Sequence, residues 1–347
     1  MFYRKDKISL SQKILLKTMM NDSLSYDSNY KPGPYWEYDC NKSYHLIRKN
    51  GFNNFRGKNC GIASGYADNI RIDNSSEYNP KKLKSIIATK IRNFPWIKKL
   101  FDTQVKITEV YLEEYLKYLN YYFANHVQVK YLLSKYHVKN DLNFDCKLKF
   151  EYNGNQYSIS YLETLNLIDQ INKKIDLNEA TSFFEIGPGF GSNIHLLIEN
   201  FNIKKFVILD VVPNLFICTE YLRSLYGKAV IDYISTRNKK IKFKNDNNLE
   251  ILCIAPWQIQ DLDMHIDVFH NSLSFQEMSL ESVKNYARYL KSFGIKKYSL
   301  NFYDDDNSSN LTIKIKEVIK CFDVNFNYIK YNTIGIGNSS NQLYTNN

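Results

Sequence analysis

The segment FFEIGPGFGSNIHLL, residues 183–197, contains a short apolar run, three glycines at alternate positions and then a helix-like pattern. Glycine lets the backbone turn sharply and approach a ligand with no Cβ in the way. A helix that starts after such a turn points its free N–H groups and the positive end of its dipole at whatever binds there. The segment therefore predicts a strand, a ligand-binding loop and a helix, the unit from which nucleotide-binding α/β folds are built.

Apolar runs alternate with helix-like stretches through the second half of the chain. Parallel strands that are buried on both faces have nearly continuous apolar sequences, and five such runs follow in order: TSFFEI, KKFVILDV, LEILCIAPW, HIDVFHNS and KKYSLNFY. The stretch VNFNYIKYNTIGIG has the pattern of two strands that pair antiparallel at a sheet edge. We predict a Rossmann-like, mostly parallel sheet in residues 159–347 and a mainly helical cap in residues 1–158.

The predicted cap has both regular and irregular parts. Residues 8–20 and 78–136 have helical spacing. The stretch from about 26 to 70 is rich in Gly, Pro, Asn and Tyr and has the composition of loops with short elements. Two alternating runs around Asn153-Gly154 predict a hairpin.

The glycine loop favours one class of nucleotide over another. A dinucleotide site needs its third glycine at position 192, where this chain has Ser192. The acidic Glu185 stands two residues before the first glycine, where it would repel a pyrophosphate and suit the amino group and sulfonium of S-adenosylmethionine. Asp210 ends the next predicted strand and could accept both ribose hydroxyls, a feature that sites for NAD and for methyl donors share.

This arrangement resembles the class I S-adenosylmethionine-dependent methyltransferases over roughly residues 160–345. The segments FFEIGPGFGSNIHLL, ILDVVPNLF, APWQI and DVFHNSLSFQEM together are similar to a bacterial family of sugar O-methyltransferases. The resemblance implies a seven-stranded sheet with S-adenosylmethionine bound across the carboxyl ends of the strands. It puts the adenine near residues 254–257, where Trp257 could stack on it or could equally be a core aromatic. The predicted donor-binding residues are Glu185, Gly187, Pro188, Gly189, Gly191, Asp210, Val211, Ala255, Pro256 and Trp257.

The fourth strand is expected to end at the methyl group. Methyltransferases that act on the amino groups of bases often have Asp/Asn-Pro-Pro-aromatic there, whereas this chain has His270-Asn271-Ser272-Leu273. A histidine with a near-neutral pKa suits deprotonation of a hydroxyl, so we predict His270 as the general base. The alternative is a histidine that only pairs with a backbone group. We expect Asn271 and Glu277 to assist by hydrogen bonding, and Glu277 is the next candidate for the base if His270 does not serve. The predicted acceptor-binding residues are Tyr35 and Trp36, from a lid, and Ser272.

The overall charge favours anionic partners. Lys and Arg number 46 against 36 Asp and Glu, a net charge of +10. A nucleotide-sugar or lipid-linked glycan acceptor and peripheral membrane contact would fit this balance, as would a merely solvated basic surface. The densest basic stretch is 81–106. An RNA methyltransferase is a second reading, although no RNA-binding module is evident, and an NAD-dependent oxidoreductase is a third.

The cysteines, the acidic segment and the N-terminus bear on metal binding and on cellular location. Six separated cysteines have no zinc spacing, and we interpret the aspartates in 303–309 as part of a solvated turn, so we predict no metal. The first twenty residues lack the apolar core of a signal peptide, and no run approaches the roughly 20 apolar residues of a membrane span. We therefore expect a cytoplasmic protein, in which the N-terminal helical region could serve as cap, dimer arm or both.

Overall fold

The structure is a computed structural model that describes residues 8–56, 117–118, 120–139, 144, 146, 149–304, 313–334 and 340–346. Four predictions fall on residues outside this part of the chain: the helical spacing of residues 78–116, the role of the basic stretch 81–106, the lid beyond residue 56 and most of the acidic segment 303–309. The side chain of Tyr35 is also outside it.

Eight of the described strands form one sheet. The strands are β1 Lys149–Tyr152, β2 Asn155–Ser158, β3 Ser182–Ile186, β4 Lys205–Leu209, β5 Val230–Ile231, β6 Glu250–Ile254, β7 Val268–Ser272, β8 Lys297–Tyr303, β9 Asn327–Asn332 and β10 Ser340–Thr345. The sheet order is β5-β6-β4-β3-β7-β8-β10-β9, and only β10 pairs antiparallel, with β8 and β9. The predicted fold class is therefore confirmed. The eighth strand is the two-residue edge strand β5, which is too short to give a sequence signal.

The described helices either precede β3 in the chain or lie between later strands of the sheet. They are α1 Leu10–Ser23, α2 Pro34–Asn50, α3 Val127–Lys135, α4 Ile159–Asn172, α5 Ser192–Asn200, α6 Asn214–Tyr226, α7 Tyr233–Thr236, α8 Leu280–Ser292 and α9 Ile315–Ile319. Strands β1 and β2 form the predicted hairpin, with positive φ at both turn residues, Asn153 and Gly154. The central strands are buried on both faces, as their continuous apolar sequences require.

The prediction of loops from residue 26 onward is wrong for the 17-residue helix α2. Pro34 occupies its first turn, where a proline costs no hydrogen bond, and Gly51 follows its end with φ of +80°. Its buried stripe is short and partly polar, with Cys40, Ser43 and Ile47 at helical spacing. A helix with so few apolar residues gives a weak periodic signal, and the surrounding Gly, Pro and Tyr residues favoured an irregular interpretation.

The described part of the cap packs into the same hydrophobic cluster as the sheet. Phe52 contacts Phe216 of α6 with the ring centroids 5.9 Å apart, and Phe55 contacts Phe190 of the glycine loop at 5.6 Å. The predicted domain boundary between residues 158 and 159 stays a prediction, because apolar side chains of the cap and of the sheet domain are buried against each other. Among the described residues, no helix is both long and apolar enough to cross a membrane.

Candidate functional site

The glycine loop lies between β3 and α5, at the carboxyl end of the sheet. Gly187, Gly189 and Gly191 have φ values of +75°, +59° and +97°, a region that other residues rarely adopt. The N–H of Gly187 donates to the carbonyl of Leu209 at the end of β4, over 2.8 Å. This bond continues the parallel pairing of β3 with β4 by one residue, so the loop starts beside the end of β4, with Pro188 between its first two glycines.

Glu185 is buried beneath this loop. Its side chain is 0% exposed, and its Oε1 accepts a hydrogen bond of 2.6 Å from Nδ2 of Asn193 on α5. Its Oε2 has no hydrogen-bond partner among the described residues. Burial raises the pKa of Glu185 to about 8, against the hydrogen bond from Asn193, and the nearby Asp210 raises it further. Within the described part of the chain, no cationic side chain pairs with this carboxyl group to stabilise its ionised form.

Asp210 follows β4 and is 7% exposed. Its carboxylate accepts a hydrogen bond of 2.7 Å from the N–H of Val211, and it is also hydrogen-bonded by the backbone of Gly189 and the side chain of Asn214. Burial nevertheless raises the pKa of Asp210 to about 7, and the charge of Glu277 adds to the rise. Two carboxyl groups that are costly to ionise thus lie beside the glycine loop.

The segment after β6 does not expose the aromatic ring that was one candidate for adenine stacking. Trp257 is 3% exposed, stacks on Tyr26 at a centroid distance of 4.7 Å and donates from Nε1 to the hydroxyl of Tyr233 over 3.2 Å. Trp257 is thus buried against other aromatic rings, and its predicted contact with adenine stays a prediction. Ala255 and Pro256 are buried beside it.

Asn271 ties the loop after β7 to the glycine loop. It is 0% exposed, and its Nδ2 donates to the carbonyl of Ile186 at 2.9 Å and to Oγ of Ser274 at 2.6 Å, while its Oδ1 accepts from the N–H of Phe275 at 3.2 Å. The side chain therefore holds two loops together at the carboxyl end of the sheet. Ser272 is half-buried, and its Oγ accepts from Nδ2 of Asn301 at 3.0 Å.

The predicted placement of His270 is wrong. It is the third of the five residues of β7 rather than its end, and it is 1% exposed. Its Nδ1 lies 3.1 Å from the carbonyl oxygen and 3.0 Å from Oγ of Ser299 on β8, and burial lowers its pKa to about 4. The imidazole is neutral at physiological pH but sits inside the sheet layer. The alternative that the sequence left open, a histidine paired with a backbone group, describes it better.

Glu277 lies at the carboxyl end of the sheet and contacts the cap. Its Oε2 accepts a hydrogen bond of 2.7 Å from Nε1 of Trp36 on α2. The side chain is partly exposed, burial raises its pKa, and the bond from Trp36 acts in the opposite direction. The influence of Glu277 on Asp210 shows that the two carboxyl groups are near each other. Trp36 therefore lies at the end of the sheet that carries the glycine loop.

Sequence reasoning missed the residues that hold this site together. Asn193, Asn214 and Ser274 each hydrogen-bond to a predicted site residue or to its loop. Asn193 lies in the first turn of α5, which follows β3, and Asn214 lies in the first turn of α6, which follows β4. This position, just after a strand that carries a predicted site residue, is the sequence feature that could have identified them. Within the described residues, no group of three or more His, Cys, Asp and Glu side chains could hold a metal ion.

Comparison with known proteins gives structural similarity only. No protein-family model matches the sequence, and no curated protein matches it. Similar solved structures include magnesium protoporphyrin IX methyltransferase from Synechocystis PCC 6803 (11% identity, 67% of this chain and 96% of that chain, TM-score 0.38). They also include fibrillarin from Aeropyrum pernix with bound S-adenosylmethionine (13%, 57% and 81%, TM-score 0.36). A third is a mitomycin 7-O-methyltransferase (12% identity, TM-score 0.36), where the alignment spans 55% of this chain and 54% of that chain.

Proposed function

We propose that this chain is an S-adenosylmethionine-dependent methyltransferase that methylates a hydroxyl group of a sugar-like acceptor. The observation that carries the proposal is the pair of buried carboxyl groups, Glu185 and Asp210, beside a glycine loop at the strand ends. Among the described residues, neither forms an ion pair with Lys, Arg or His. A ligand that brings its own positive charge would stabilise both carboxylates.

The residues present fit this methyl donor. The orphaned Oε2 of Glu185 is suited to an ammonium group, and Asp210 is suited to the two ribose hydroxyls. Gly187, Gly189 and Gly191 allow the loop backbone to approach the ligand closely. When bound, S-adenosylmethionine supplies a methyl group on a positively charged sulfur. The chain would contribute the alignment of the acceptor oxygen with that methyl group and a base for the acceptor proton.

An NAD-dependent oxidoreductase fits these residues less well. The third glycine of a dinucleotide loop is replaced by Ser192, and Glu185 would lie beneath a pyrophosphate with no described cation between them. Isothermal titration with S-adenosylhomocysteine and with NAD tests the proposal directly. Binding of S-adenosylhomocysteine with no binding of NAD is the expected result. The opposite preference would overturn the donor assignment.

We expect Asp210→Ala to weaken the binding of S-adenosylhomocysteine because the ribose would lose its carboxylate acceptor. Hydrogen bonds to charged groups contribute about 1.5–3 kcal/mol, so the dissociation constant should rise roughly ten- to a hundredfold. Calorimetric titration measures the change. Asp232→Ala, which removes a partly exposed acid from the cap of α7, is the control and should bind like wild type. Equal affinity of Asp210→Ala and the control would exclude Asp210 from the donor site.

Donor binding should also release protons near neutral pH. In the ligand-free protein, the pKa values of about 8 for Glu185 and about 7 for Asp210 keep these carboxyl groups partly protonated at pH 7. A cationic ligand lowers both pKa values, so roughly one proton should leave for each ligand bound. Titration with sinefungin, an amine analogue of the donor, in buffers of different ionisation enthalpy measures the number released. Proton uptake on binding would instead indicate an anionic group beside these carboxylates.

The finer proposal, a sugar hydroxyl as acceptor, rests on the surroundings of residues 273–279, which follow β7 and which we call the acceptor loop. Trp36 provides an aromatic ring beside Glu277, and the Pro-Pro-aromatic sequence typical of base-amine methylation is missing after β7. Transfer of labelled methyl to a panel of methyl glycosides, nucleotide sugars and transcribed RNA separates the alternatives. Labelling of a methyl glycoside or a nucleotide sugar, and not of RNA, is expected, and it would support a role in surface polysaccharide or glycoconjugate synthesis. Labelling of RNA alone would favour the alternative hypothesis, an RNA methyltransferase.

A further inference from the structure

The N-terminal helix α2 contributes a side chain to the acceptor side of the site. We infer that Glu277 is the general base for the acceptor hydroxyl and that Trp36 of α2 is the positioning residue that orients this carboxylate. The inference rests on the proposed function, since it assumes that a hydroxyl is methylated at this end of the sheet.

Trp36 and Glu277 are joined by a short hydrogen bond. The Trp36 indole N–H donates to Oε2 of Glu277 over 2.7 Å, within the range of charge-assisted hydrogen bonds. An indole N–H can only donate a hydrogen bond. It therefore stabilises the charged carboxylate, and it cannot accept a hydrogen bond from the protonated carboxyl group. The bond therefore fixes one oxygen of Glu277 in the form that a general base needs before it takes up a proton.

The start of α2 is also fitted closely to the backbone of Glu277. A Cβ placed on Gly33 would lie 2.8 Å from the carbonyl oxygen of Glu277, closer than real Cβ atoms come. Glycine at this position allows the helix to approach the acceptor loop. Further along α2, Cys40 lies near Asp210, since the charge of Asp210 acts on its thiol. The helix thus extends from the acceptor loop to the expected ribose site.

Glu277 is better placed for proton transfer than His270. It is partly exposed, whereas His270 is 1% exposed within the sheet. As the acceptor oxygen bonds to the methyl carbon and the methyl–sulfur bond breaks, Glu277 would accept the hydroxyl proton and later release it to solvent. Among the titratable groups, Asp210 beyond the end of β4 is affected by the charge of Glu277. The charge of Asp210 in turn affects Cys40 on α2 and Tyr286 on α8.

The test compares Trp36→Phe, which keeps a ring and removes the donor, with Tyr30→Phe. Tyr30 precedes α2, and its hydroxyl lies 3.1 Å from that of Tyr289 on α8, so its loss perturbs the same segment without touching Glu277. Carbon-13 NMR of protein labelled at the glutamate carboxyls gives the pKa of Glu277 in the ligand-free state, with Glu277→Gln to assign its signal. Trp36→Phe should raise this pKa by about one pH unit, and Tyr30→Phe should leave it unchanged.

The kinetic arm uses methyl glycosides as acceptors. Glu277→Gln should lower kcat about 10²–10⁴-fold and remove the fall in rate at low pH, with the affinity for S-adenosylhomocysteine retained. Trp36→Phe should move that fall to higher pH by the same amount as the pKa. An unchanged pKa in Trp36→Phe, or an unaltered pH profile in Glu277→Gln, would overturn the inference. If wild type methylates no glycoside, the proposed acceptor fails, and the NMR titration still decides whether Trp36 sets the charge of Glu277.

Discussion

Glu185→Gln is expected to weaken donor binding and, at the same time, to stabilise the ligand-free protein at alkaline pH. The pKa of Glu185 in the folded chain is about 8, against an ordinary value of 4.5. A carboxyl group whose pKa is raised on folding stabilises the fold below its ordinary pKa, and that contribution is lost as the pH rises through the folded pKa. The free energy of unfolding of wild type should therefore fall between pH 4.5 and 8 relative to that of the glutamine variant.

The expected difference is large because Glu185 is fully buried. Above pH 8 the variant should be about 3–5 kcal/mol more stable than wild type, and near pH 4 the two should be similar. Urea unfolding at several pH values measures this, and calorimetry with S-adenosylhomocysteine should show an affinity lower by roughly ten- to a hundredfold. Glu199→Gln, on the same helix as Asn193 but only half-buried, is the control for both measurements. A variant that loses stability at every pH would show that Glu185 is a structural residue.

This opposition between stability and binding is what a cation site implies. A buried acid that served only the fold would be expected to have a Lys or Arg partner, as Asp169 has in Lys135 and Lys173. Glu185 has only the amide of Asn193 at one oxygen, and the other oxygen is unpartnered among the described residues. The ligand-free protein therefore carries a cost that a bound cation would remove.

The sequence predicted the strands and the glycine loop because each depends on local pattern. The runs around Phe184, Val207 and Phe269 are buried on both faces, and such strands are apolar throughout. The three glycines of the loop all have positive φ, which the choice of glycine itself indicates. The relation of Glu185 and Asp210 followed from the same pattern, since the carboxyl ends of neighbouring parallel strands meet at one edge of the sheet.

The side-chain roles could not be predicted because they depend on orientation and on contacts between distant segments. His270 and Asn271 are adjacent in sequence, yet one pairs with β8 inside the sheet and the other joins two loops. The contact of Trp36 with Glu277 spans 241 positions of the chain. No periodic sequence pattern relates Trp36 to Glu277. The helix that brings Trp36 to Glu277, α2, is largely polar and has little apolar repeat of its own.

Gly187→Ala should be strongly destabilising and should disrupt the donor loop. Gly187 has φ of +75°, and an added Cβ would lie 2.4 Å from Oγ and 2.6 Å from Cβ of Ser274. The left-handed backbone costs roughly 1–2 kcal/mol for a residue with a Cβ, and overpacking typically costs about 1–3 kcal/mol. We therefore expect the free energy of unfolding to fall by about 2–5 kcal/mol, as measured by urea denaturation.

A double variant separates the two causes of this loss. Ser274→Gly removes both atoms that the new Cβ would meet, and also the hydroxyl that accepts from Asn271. Gly187→Ala should therefore cost less when it is added to Ser274→Gly than when it is added to wild type, and the remaining cost should be that of the left-handed backbone. Gly154→Ala is the matched control, because Gly154 also has positive φ, of +76°, and an added Cβ meets no atom within 4 Å. It should lose only the backbone share. If Gly187→Ala is no more destabilising than Gly154→Ala, close packing against Ser274 does not restrict the residue at position 187. The hydrogen bonds of Asn271 alone would then have to hold the two loops together.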